Sequence, residues 1–132
     1  MTSCISRLDE GHSYESSAWF DAESHAGVRY GIARVSFGRR IELARRIREI
    51  GRKMEYLAAT GEVLEKLEAT VLAAEIDRAY LEWGWIGVEG LTIDGAAATP
   101  ETAIEKGPAE LADEILARIK AEWGLTEGER KN

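Results

Sequence analysis

The sequence is short of the residue types that staple, hinge or anchor a chain. Its 132 residues include one cysteine, Cys4, so no disulfide can close within it, and a reducing compartment is the expected setting. It has only two prolines and 13 glycines, so long linkers are not expected, and the length suits a single domain. A domain of this size buries roughly two-thirds of its unfolded surface and needs no metal or disulfide to fold. No run approaches the ~20 apolar residues that cross a bilayer. The opening residues MTSCISRLDEGHSYESS lack the apolar stretch of a signal peptide, so no membrane association and a cytoplasmic location are expected.

Chemistry-bearing patterns are equally scarce. Cys4, His12 and His25 have no metal-ligand spacing, so neither a metal nor another cofactor is expected. Ser13, Ser16, Ser17 and Ser36 do not sit in a nucleophile elbow. Glu75, Asp77 and Glu82 read as a solvated helix face rather than an acid–base pair. The glycines of Trp83–Gly90 lack the lysine of a phosphate-binding loop. An enzyme is not expected.

What the sequence does have is a strong separation of charge. Residues 28–53 hold nine cations and two acids, a net +7, while the rest of the chain carries −14. The basic segment could meet an anionic partner or pair with the acidic remainder of the chain. Arg39, Arg40, Arg45, Arg46, Arg48 and Arg52 are the candidate anionic-partner patch. Glu42 precedes Arg45 and Arg46, and Glu49 precedes Lys53, at spacings that suit intrahelical ion pairs. Nucleic acid is the less favoured partner, because the chain is acidic as a whole and no stacking aromatics accompany the arginines.

The hydrophobic pattern predicts an α+β, mainly α fold: an N-terminal β-hairpin, then four helices, two of them long and antiparallel, with a short glycine-rich, hairpin-like connection. The domain spans 14–125, between a flexible N-terminus at 1–13 and a charged tail at 126–132. Residues 14–20 supply a weak first strand and His25–Gly27 a turn. Val28, Tyr30 and Ile32 alternate as a half-buried strand does, and Val35 and Phe37 resume the alternation after a bulge at Ala33–Arg34. Ser36 can cap a helix reaching about Ala59, with the stripe Leu43, Ile47, Ile50, Met54 and Leu57. Gly51 within it is expected to admit a neighbouring backbone.

Helix 62–83 carries two stripes, Leu64–Leu67–Val71 and Leu72–Ile76–Ala79–Tyr80–Trp83, which marks it as the central helix. Residues 84–98 are read as non-helical, with a short strand Leu91–Ile93 and a tight turn at Asp94–Gly95. Thr99–Pro100–Glu101 starts a short helix, and Leu111, Ile115, Ile119 and Trp123 mark the buried face of the last one. Trp85, Trp123, Tyr80 and Trp19 are the candidate protein interface.

Several segments taken in order carry a resemblance: Val35–Leu43, Tyr80–Gly84, Gly90–Gly95, Thr99–Glu101 and the tail Gly124–Glu127 with Glu129–Asn132. Over about 28–132 the chain resembles small proteins of phage and prophage tail modules that are similar to the tail assembly chaperones of long-tailed phages. Those chaperones are largely helical, whereas this chain begins with a hairpin. The resemblance implies a transient assembly factor that binds the tape-measure protein, keeps it soluble and recruits tail-tube subunits. It carries no residue-level site. A homo-oligomer, a minor structural protein such as a head–tail connector, and a nucleic-acid-binding regulator remain the alternatives.

Overall fold

The computed structural model describes residues 11–60 and 63–123. It is α+β and mainly helical, with the hairpin leading four helices. Strands β1 (Ser17–Asp21) and β2 (Arg29–Ala33) pair antiparallel, Ser17 opposite Ala33 and Asp21 opposite Arg29. Their turn closes where the Val28 amide donates to the His25 carbonyl (3.2 Å) and Gly27 takes φ +86°. Helices α1 (Phe37–Thr60) and α2 (Val63–Gly84) follow. Strand β3 (Trp85–Glu89) then pairs with β2, making a three-stranded antiparallel sheet in the order β1-β2-β3. A two-residue ribbon, β4 (Thr92–Ile93) and β5 (Ala96–Ala97), leads to α3 (Pro100–Lys106) and α4 (Ala109–Glu122).

Local chemistry explains most boundaries. The Ser36 hydroxyl accepts from the Arg39 amide (3.2 Å) and so starts α1. Asp94 and Gly95, at φ +53° and +84°, form the two-residue turn between β4 and β5. Thr99 and Thr102 form a reciprocal capping box around Pro100 at the head of α3.

Four expectations give way. Residues 85–89, read as part of a connection, are a strand. The irregularity lies between Gly31 and Ile32 on the β3 side, not at Ala33–Arg34: Gly31 faces Gly87 and Ile32 faces Trp85, so Ile86 is unpaired and exposed. Phe37 does not continue a strand, because the Ser36 cap places it at the first position of α1. Gly51 admits no backbone, since a Cβ there would meet only open space. The expectations for residues 1–10, Gly61, Gly124 and 126–132 lie outside the described residues.

The core lies between the inner face of the sheet, α4 and the C-terminal half of α2. Tyr30, Ile32, Leu111, Ile115 and Ile119 are fully buried there. Phe20 packs on Tyr30 with ring centroids 5.9 Å apart. Each fully buried aliphatic side chain contributes about 1.5–3 kcal/mol. On the outer face the Trp19 indole lies over Gly31 and Gly87, which face each other across β2 and β3; a Cβ on either would collide with it. Glu114 on α4 holds the hairpin turn, accepting from the Glu23 and Ser24 amides (2.9 Å each). Burial pushes the Glu114 carboxyl up, but these amides together with the Ser24 and Tyr30 hydroxyls outweigh it and leave it below the ordinary value.

Helices α1 and α2 run antiparallel: Arg39 meets Trp83, and Arg46 meets Glu82. Leu43 is buried between them and Ile47 half-buried. The later stripe of α2 is covered as expected, with Leu72, Ala79 and Tyr80 buried. In the earlier one Leu67 is 59 % and Val71 52 % exposed, and the Leu64 side chain lies outside the described residues.

Candidate functional site

The basic segment divides into two populations. One pairs with the chain itself. Arg29 bridges Asp21 and Glu89 across the sheet (3.4 Å each), and Arg34 binds Glu122 (2.7 Å). The Arg39 guanidinium lies 4.8 Å from the Trp83 ring centroid and donates to the Trp83 carbonyl. Arg46 donates to Glu82, which also accepts from Arg78 (2.8 Å), and Arg78 reaches Glu105; this chain of four charges ties α1, α2 and α3 together. Burial pushes the Glu82 carboxyl up, but its bonds to Arg78 and Arg46 bring it below the ordinary value. The Glu105 and Glu82 bonds push the Arg78 guanidinium up.

The other population is free. Arg40, Arg45, Arg48 and Arg52 are exposed, and none makes an ion pair among the described residues. The expected pairs of Glu42 with Arg45 or Arg46, and of Glu49 with Lys53, do not come within bridging distance. The patch anticipated from sequence therefore loses Arg39 and Arg46 and keeps the other four.

Helical spacing aligns three of the free arginines with two apolar side chains. Phe37, Ile41, Arg45, Arg48 and Arg52 follow one another at steps of four, four, three and four, down the face opposite Leu43, Ile47 and Ile50. At 1.5 Å per residue, Arg45 to Arg52 spans about 10 Å. Phe37 is 82 % exposed, and Ile41 beside it is also exposed. Sequence reasoning missed both, because Val35 and Phe37 read as strand. The usable signal was the Ser36 cap, which puts Phe37 and Ile41 one turn apart on a helix.

Three of the four anticipated interface aromatics are core. Trp85 is 3 %, Tyr80 6 % and Trp123 7 % exposed. Trp85 is buried by belonging to β3, and its Nε1 donates to the Gly87 carbonyl (3.0 Å). Tyr80 lies within the buried stripe of α2, and Trp123 closes that of α4. Only Trp19 is exposed, with Arg29 5.6 Å from its ring centroid.

Two clefts flank the Arg78–Glu82 pair. One, of about 490 Å³, is lined by Trp85, Pro100, Glu101, Ile104 and Glu105; the other, of about 560 Å³, by Arg46, Glu49, Ile50 and Glu75. Among the described residues no three His, Cys, Asp or Glu gather as a metal site, and no helix is long and apolar enough to cross a membrane. Compared with protein families, curated proteins and solved structures, the chain matches none.

Proposed function

We propose that this chain is a non-enzymatic assembly factor that docks a protein partner on the outer face of α1. One observation carries the reading: Phe37 and Ile41 stand exposed in line with Arg45, Arg48 and Arg52, three arginines without an ion pair among the described residues. Apolar anchors one turn apart within a cationic rim suit an acidic amphipathic helix lying along α1, its apolar side on Phe37 and Ile41 and its carboxylates on the arginines. With the resemblance to tail assembly chaperones, the partner is the helical tape-measure protein, with tail-tube subunits recruited to the complex in the host cytoplasm.

Nucleic acid is the second reading, favoured by the same free arginines. The exposed Phe37 and Ile41 and the net charge of −7 weigh toward protein. The test is co-expression with the very long helical protein that this reading places directly downstream of the gene. The wild-type chain should keep it soluble and co-purify with it. Absence of both, with duplex binding that weakens steeply as salt rises, would replace this reading with the second.

A further inference from the structure

The chain passes the head of α1 on its way into β1. Beyond the pairing of Ser17 with Ala33, the Arg34 amide donates to the Ser16 carbonyl (2.9 Å) and the Tyr14 hydroxyl to the Val35 carbonyl (3.1 Å). The Arg34 guanidinium lies 5.9 Å from the Tyr14 ring centroid. Tyr14 is thus held beside the residues that lead into α1, with Val35 two positions before Phe37. Phe37 and Ile41 are exposed one turn apart. Arg40, three residues after Phe37, and Arg45, four after Ile41, flank them and make no ion pair among the described residues.

The residues that precede Tyr14 suit this surface in sign and in apolar content. Ile5 and Leu8 are apolar, Asp9 and Glu10 follow Leu8 directly, and no lysine or arginine stands between Leu8 and Tyr14. The six residues from Tyr14 back to Leu8 can reach up to about 20 Å, whereas Phe37 to Arg45 spans about 12 Å along the helix. The chain is long enough to bring Leu8 and its acidic neighbours to the first two turns of α1. The segment after Trp123 also starts near this place, because Glu122 binds Arg34 (2.7 Å). Its Arg130 and Lys131 offset Glu127 and Glu129, however, and Leu125 is its one apolar residue, so it complements the surface less well.

We infer that residues 1–10 fold back onto the head of α1, with Ile5 and Leu8 against Phe37 and Ile41 and with Asp9 and Glu10 facing Arg40 and Arg45. The segment has the chemistry proposed for the partner, apolar side chains with adjacent carboxylates. The chain then occupies its own docking face until a partner displaces the segment. That competition rests on the docking proposed for α1, whereas the contact itself does not.

Cys4 is the only cysteine, so a nitroxide attached to it marks this segment within the natural sequence. In the isolated chain the label should broaden the amide resonances of Phe37–Arg45. Ile5→Glu with Leu8→Glu, carrying the same label, should restore their intensity, because the tether at Tyr14 is unchanged and only the apolar contact is lost. Equal broadening in the wild type and the double variant, no broadening in either, or broadening seen only between a labelled copy and an isotope-enriched unlabelled copy would each overturn the assignment. The last outcome would make the segment of a second copy the occupant. No partner enters the measurement, so its failure leaves the proposed docking on α1 standing, and failure to capture a partner leaves this contact standing.

Discussion

Two regions of this molecule use the same kind of residue to different ends. In the body, Leu111, Ile115 and Ile119 recur at helical spacing on α4 and are fully buried against the sheet and α2. Along the helical hairpin, Leu67 and Val71 recur at the same spacing and stay exposed, as do Phe37 and Ile41. An apolar stripe becomes core where a second element lies over it, and stays exposed where none of the described residues covers it. The arginines divide likewise: Arg39 and Arg46 lie where α1 meets Trp83 and Glu82, while Arg45, Arg48 and Arg52 point the other way.

The sharpest way to break this comparison is to make the same kind of truncation in both regions. Ile115→Ala should lower unfolding stability by about 2–5 kcal/mol through lost burial and the cavity left behind. Val71→Ala should change it by less than about 0.5 kcal/mol. Urea titration reads both, and equal costs would show that the hairpin stripe is covered after all. Gly90→Ala comes next. Gly90 has φ +83°, and a Cβ there would collide with the Gly27 carbonyl oxygen, so a loss of about 2 kcal/mol or more is expected.

Glu114→Gln should cost about 1 kcal/mol by weakening the bonds to the turn amides. It should also change the acid side of the stability profile. Because the Glu114 carboxyl lies below the ordinary 4.5 when folded, its contribution is complete above that unfolded value and is lost as pH falls through the lower folded one. The glutamine variant should lack that acid-side loss. Gly51→Ala has the smallest effect and the opposite sign. With open space around the new methyl, it should raise stability by about 0.5–1 kcal/mol, seen as a higher thermal midpoint.

The hairpin, the Thr99 cap, the Asp94–Gly95 turn and the α4 stripe were legible in the sequence because each depends on residues within a turn or two of one another. Strand β3 was not. Gly87 interrupts its pattern, and the side chain filling that space is Trp19, supplied by β1 across the sheet. The candidate site was legible in part for the same reason. Free and engaged arginines differ only in what stands opposite: Trp83 is 44 residues from Arg39, and Glu82 is 36 from Arg46. Nothing near Trp85, Tyr80 or Trp123 in the sequence reveals that strands and helices close over them, whereas Phe37 and Ile41 became visible once α1 was known to begin at Phe37.

The central claim is that the outer face of α1 is a docking surface and not part of the fold. The most direct measurement is capture of the long helical partner by co-expressed wild-type chain and by the variant Phe37→Glu, Arg45→Glu, Arg48→Glu, with unfolding stability measured on both. The prediction is unchanged stability, within about 0.5 kcal/mol, together with loss of capture and of partner solubility. A variant that keeps the partner soluble as well as the wild type does would contradict the claim.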